Sequence, residues 1–113
     1  MPRTATRLRE AGAVAERTYS GIPSLDVQGA TFDALAGLAF SVESAEVGAR
    51  GTATLRTIEA TRPVDVRATI EILEAGPRDV VVTVEVFPSD RTLAEAVEQE
   101  IAGHLPRASG AGP

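Results

Sequence analysis

His104 is the only histidine in the chain, and Glu100 precedes it by one helical turn. Residues four apart on a helix face each other, so the two can form an acid–base pair or half of a metal site. A metal centre needs three or four ligands, and the chain has no cysteine to supply the rest. A histidine near a helix C-terminus, where the dipole favours a cation, accounts for the pair without chemistry. Asp90, Glu95, Glu98 and Glu100 make the last helix acidic, yet they lack the closely spaced oxygen ligands of a calcium loop, so they read as a solvated face. Gly48, Arg50 and Gly51 form the best loop for an anion. No helix follows them and no phosphate-loop pattern is present, so a glycine-using hairpin turn is the simpler reading. Ser20, Ser24, Ser41, Ser44 and Ser89 stand in no nucleophile elbow. Ser89 reads as a helix cap. Tyr19, Phe32, Phe40 and Phe87 are too few to stack bases and read as core.

The elements around these residues are clearest towards the C-terminus. Val64, Val66, Ala68, Ile70 and Ile72 alternate with Asp65, Arg67, Thr69 and Glu71. After a turn at 74–78, Val82, Val84 and Val86 alternate with Thr83 and Glu85. Pro88, Ser89 and Asp90 stop that strand, and Leu93, Val97, Ile101 and Leu105 then recur every fourth residue. Period two followed by a helical period predicts a hairpin with one buried face and a helix that covers it. Glu98 falls on the opposite, exposed side of that helix.

Upstream, 13–22 reads as a first strand and 27–38 as a helix with Asp26 as N-cap and Thr31, Ala34, Leu35 and Leu38 along one face. Residues 40–46 form a second strand with Phe40, Val42 and Ser44 on one side, 47–51 a turn, and 52–59 a third strand. Residues 60–62 turn again and Pro63 opens the fourth strand, where its missing N–H is not needed. The order β-α-β-β-β-β-α predicts an α+β fold: an antiparallel sheet of four to five strands with two helices packed on one face. Gly103 and Pro106 end the last helix; residues 1–12 are expected to be a flexible arm, 13–105 a single domain and 106–113 a disordered tail.

A two-layer fold leaves one sheet face uncovered. Arg56, Arg67, Thr69, Glu71, Thr83 and Glu85 are assigned to it as the candidate interaction face. The polar residues of this face can pair across strands, or receive another protein.

Composition narrows the functional classes. At 43% hydrophobic and 24% charged, the 113 residues are those of an ordinary globular domain. A net charge of −5 argues against nucleic acid as a partner. All eleven basic residues are arginine, read as compositional bias. No apolar stretch reaches the ~20 residues of a membrane span. As written, the chain lacks a signal-peptide core and a lipidation cysteine, which reads as cytoplasmic; a mature chain with a new start would belong to the cell envelope.

The run from Val27 to Phe40, with its Ala34-Leu35 pair and Leu38-Ala39-Phe40 leading into a strand, resembles a family of small bacterial lipoprotein domains of unknown function. These are similar to the helix-grip domains of the outer-membrane assembly lipoprotein BamC. Gly51-Thr52, Pro63-Val64-Asp65-Val66 and Val84-Glu85-Val86-Phe87 fit the family's glycine turn and Val-rich strands, and Ala39 replaces its Gly. The resemblance implies a helix-grip fold and an envelope location, and it brings no catalytic residues.

From the residues, the expectation is a non-enzymatic structural or protein-interaction domain, acting through the open sheet face or a sheet edge on a protein partner or a second copy. No cofactor or metal is expected. The alternative is a small-molecule or lipid-binding module with a pocket between sheet and helices, where Gly29, Ala30, Ala34 and Gly37 would leave room.

Overall fold

The computed structural model describes residues 13–105. The elements are β1 (Ala13–Ser20), α1 (Ser24–Gly37), β2 (Ser41–Arg50), β3 (Ala53–Arg62), β4 (Val66–Glu74), β5 (Asp79–Phe87) and α2 (Arg91–His104). The five strands make one sheet in the order β1-β5-β4-β3-β2, with every neighbouring pair antiparallel. The α+β class, the meander β2–β5 and the two helices on one face are as the periodicity predicts. The expected arm and tail lie outside the described residues.

One face of the sheet is built from alternate residues. Ile58 and Ala60 of β3, Ala68, Ile70 and Ile72 of β4, and Val80, Val82, Val84 and Val86 of β5 are all buried. The helices close over them with Val27, Ala30, Ala34 and Leu35 from α1 and Ala94, Val97 and Ile101 from α2. Buried Thr31 stays satisfied because its hydroxyl donates to the Val27 carbonyl at 2.7 Å. Gly29 and Gly37 lie on the exposed side of α1, so of the four small residues only Ala30 and Ala34 face the sheet.

Several boundaries differ from the sequence reading. α1 starts at Ser24 after Pro23, whose fixed φ of −63° suits the position, and no side chain caps it. Asp26 lies inside the first turn, where a carboxylate is favoured by the dipole. α2 is capped by Asp90, which accepts from the Leu93 N–H at 3.0 Å, and not by Ser89. Ladder pairing continues through 47–50 and 60–62, which the residue pattern reads as turns. Backbone hydrogen bonds tolerate Gly48 and Ala49 although these offer no hydrophobic signal. Gly51 makes the turn with φ 63°. The next turn therefore moves to 63–65, where Asp65 has φ 56° and Val64 is 83% exposed. Pro63 and Val64 thus precede β4. Phe87 ends β5 exposed, on the side away from the core, and is not a core residue.

The C-terminus of α1 carries a testable strain. The Phe40 N–H donates to the Leu35 carbonyl at 2.8 Å and the Ala39 N–H to the Ala36 carbonyl at 3.1 Å. Those two bonds form a Schellman cap, which needs its first residue beyond the cap in the left-handed region. That residue is Ala39, with φ 69°. A Cβ there costs roughly 1–2 kcal/mol, part of which glycine forfeits through its freer unfolded chain. Ala39→Gly is expected to stabilise the fold by about 0.5–1 kcal/mol, read as a higher urea midpoint with an unchanged slope. A lower midpoint would contradict the cap.

Candidate interaction surface

The face of the sheet turned away from the helices is set by register. One row across the strands reads Glu16, Thr83, Glu71, Thr57, Glu46; the next reads Val14, Glu85, Thr69, Glu59, Ser44. Glutamate and hydroxyl residues alternate along both rows and between them, with Val14 the one exception, and the next row, Thr18, Val81, Leu73, Leu55, Gly48, is largely apolar. With strands about 4.8 Å apart, glutamates of one row stand about 10 Å from each other. The alternation has a physical reason: like charges directly opposite are destabilising, whereas a hydroxyl opposite a carboxylate can donate to it. Thr83 does so to Glu16 at 3.0 Å, and beyond the two rows Thr61 donates to Glu43 at 2.8 Å. Arg50 reaches across to Glu71 at 3.1 Å, and Arg67 stands opposite Phe87. Glu16, Glu43, Glu46, Glu59, Glu71 and Glu85 thus face Arg50 and Arg67, which leaves the surface strongly acidic.

Of the residues assigned to this face from sequence, Arg67, Thr69, Glu71, Thr83 and Glu85 lie on it. Arg56 does not. It shares its side of β3 with buried Ile58 and Ala60, and its guanidinium donates to the Gln28 side chain of α1 at 3.2 Å. The physical reason is phase: β3 alternates in step with Ile58, so even-numbered residues point to the helices. Arg62 follows the same phase, donating to the Leu38 carbonyl at 2.8 Å with its guanidinium carbon 5.0 Å from the centre of the Phe40 ring. The sequence reading missed Glu16, Glu46, Thr57 and Glu59. The phase of Ile58 and Ala60 would have placed Thr57 and Glu59; Glu16 and Glu46 sit on strands with too few bulky residues to show a phase.

Among the described residues, clefts open at the borders of the domain. One of about 440 Å³ lies where α1 begins, lined by Ser24, Arg56, Glu74 and Arg78. There the Ser24 hydroxyl donates to the Glu74 carboxylate and ties the helix start to β4. A second, of about 570 Å³, lies by the turn at 63–65 and Phe87. A third, of about 400 Å³, follows the seam of β1 and α2 past Arg17, Glu95 and Glu98.

Glu98 occupies that seam. It is 1% exposed, against the expectation of a solvent-side position, and neither carboxylate oxygen finds a hydrogen-bond partner among the described residues. The buried stripe of α2 is Ala94, Val97, Glu98 and Ile101, with Leu93 and Leu105 at its margins. Burial pushes the Glu98 carboxyl up to about 8, with Arg17 opposing and Glu16 assisting. The nearby Tyr19 hydroxyl is raised by burial and then by the charge of Glu98, with Arg17 opposing. His104 Nε2 stands 3.6 Å from Glu100 at the exposed end of α2. Among the described residues no three or more His, Cys, Asp or Glu side chains converge as a metal would need, and no helix is long and apolar enough to cross a membrane.

Scanned against known protein families the chain matches none, and no curated protein matches it.

Proposed function

We propose that the chain is a non-catalytic interaction domain that docks a basic protein surface on its open sheet face. The observation that supports this is the lattice of glutamates and hydroxyls across all five strands, which no element of the described chain covers. A surface on which one sign predominates attracts a partner of the other, speeds encounter and rejects like-charged competitors. The interleaved threonines hold the carboxylates apart, so their repulsion is kept low in the free domain. Folding needs none of these glutamates for burial, which leaves them available for contact.

A nona-arginine peptide serves as probe. Replacing Glu59, Glu71 and Glu85 together by Gln is expected to weaken its binding by about tenfold or more at low salt, while the fold persists. Removing as much charge from the helices, at Asp33, Glu95 and Glu100, is expected to leave most of the affinity. Titration calorimetry of the two triple variants decides the matter: equal losses would mean that net charge, and not this face, governs binding, and the proposal would fall.

A further inference from the structure

β2 is an outer strand of the sheet, and nothing among the described residues pairs with its free edge. Residues 45–50 are all exposed, and the strand holds neither Pro nor Lys, two of the usual means of blunting an edge. Its bulge falls between Val42 and Ser44, so 44–50 is regular. On the helix side that stretch presents Ala45, Val47 and Ala49, with Val47 62% exposed; on the open side it presents Ser44, Glu46, Gly48 and Arg50. We infer that 44–50 pairs antiparallel with the same stretch of a second copy, about a twofold axis at Val47.

The register follows from the alternation. A twofold normal to the sheet keeps the helix sides of both copies together, so each residue can stand opposite only a residue of its own side. An axis at Glu46 would set that carboxylate directly against its own copy, which is destabilising. An axis at Gly48 leaves only 46–50 paired. An axis at Val47 uses the whole regular stretch: Val47 meets Val47, and Ala45 meets Ala49. Glu46 then stands opposite Gly48, whose missing side chain leaves room for the diagonal Arg50 of the second copy to reach it. Arg50 is 56% exposed in its contact with Glu71, so its guanidinium keeps donors for that second carboxylate. Pairing satisfies the edge amides and carbonyls, removes the valine from water, and joins two five-stranded sheets into one with all helices on one side. The pairing does not depend on what binds the open face, although it would make the two acidic faces continuous.

The absence of native cysteine allows a single-cysteine scan without background. Residues directly opposite in an antiparallel pair have Cα atoms about 4.5–5.5 Å apart, within the range of about 4.4–6.8 Å that a disulfide spans. Under mild oxidation Val47→Cys is expected to give covalent dimer several-fold faster than Glu46→Cys, Gly48→Cys or the open-face control Thr18→Cys. The unmodified chain is expected to show a concentration-dependent rise in sedimentation coefficient between roughly 10 µM and 1 mM, as befits a small edge interface. Val47→Lys, an exposed substitution that leaves the circular dichroism unchanged, is expected to sediment as a monomer throughout. Equal rates at all four cysteine positions, a faster rate at 46 or 48, or a wild-type chain that stays monomeric at 1 mM would each overturn the inference.

Discussion

Truncating Ile101 to alanine is expected to cost roughly 2–5 kcal/mol, the range for an aliphatic core residue whose site cannot collapse. Ile101 is fully buried on α2, over a sheet face built from Val82, Val84 and Ile70. Its removal forfeits the transfer of a branched side chain and leaves a void between two layers already close-packed. Rigid neighbours on two strands cannot move into that void without breaking ladder bonds. Gln99→Ala, two residues away and exposed, is expected to change stability by less than about 0.5 kcal/mol. Urea melts of both variants check the claim. Similar losses for the two would contradict the helix-on-sheet packing.

The second large effect belongs to Glu98. Its carboxyl rises from an ordinary 4.5 to about 8 in the folded chain, first because burial penalises its charge. Between those values the native state holds a proton that the unfolded state releases. Stability from this group is therefore greatest at or below pH 4.5, falls as pH rises, and levels off above about 8. Burial sets most of the shift; Arg17 favours the charged form and Glu16 opposes it. Glu98→Gln removes the titration while keeping the shape. The variant is expected to be more stable than wild type by on the order of 1–3 kcal/mol at pH 9, the cost of an unpaired buried charge after relaxation. At pH 5 the two are expected to lie close together. Melts at both pH values test this, because other titrating groups cancel between the chains. A variant no more stable at pH 9 than at pH 5, relative to wild type, would mean that the carboxylate finds a partner or water when it ionises.

Much of the candidate face is legible in the residues themselves. Thr69, Glu71, Thr83 and Glu85 alternate with Ile70, Ile72, Val82 and Val84, and that contrast between polar and branched apolar residues fixes a phase within each strand. Arg56 is misplaced because the two bulky apolar residues of β3, Leu55 and Ile58, stand on opposite faces and give conflicting phases, of which only that of Ile58 and Ala60 is the buried one. The Glu–Thr lattice is a property of five strands in register, and register between strands is decided by turns and by which edges meet. Nothing in the residues of β1 says that it lies beside β5 and brings Glu16 opposite Thr83.

Glu98 shows the same division on a helix. Leu93, Val97, Ile101 and Leu105 mark a stripe, and a stripe locates the centre of a buried face without giving its width. Its width depends on how closely a neighbour approaches, and here β1 comes up against the flank of α2 that carries Glu98. The sequence by itself determined the two periodicities, the hairpins and the helix-covered layer, because each depends on neighbours within a few positions along the chain. Only the tertiary structure decided the strand order, the carboxylate buried at the seam of α2 and β1 and the bare edge of β2, because each depends on which distant segments come into contact.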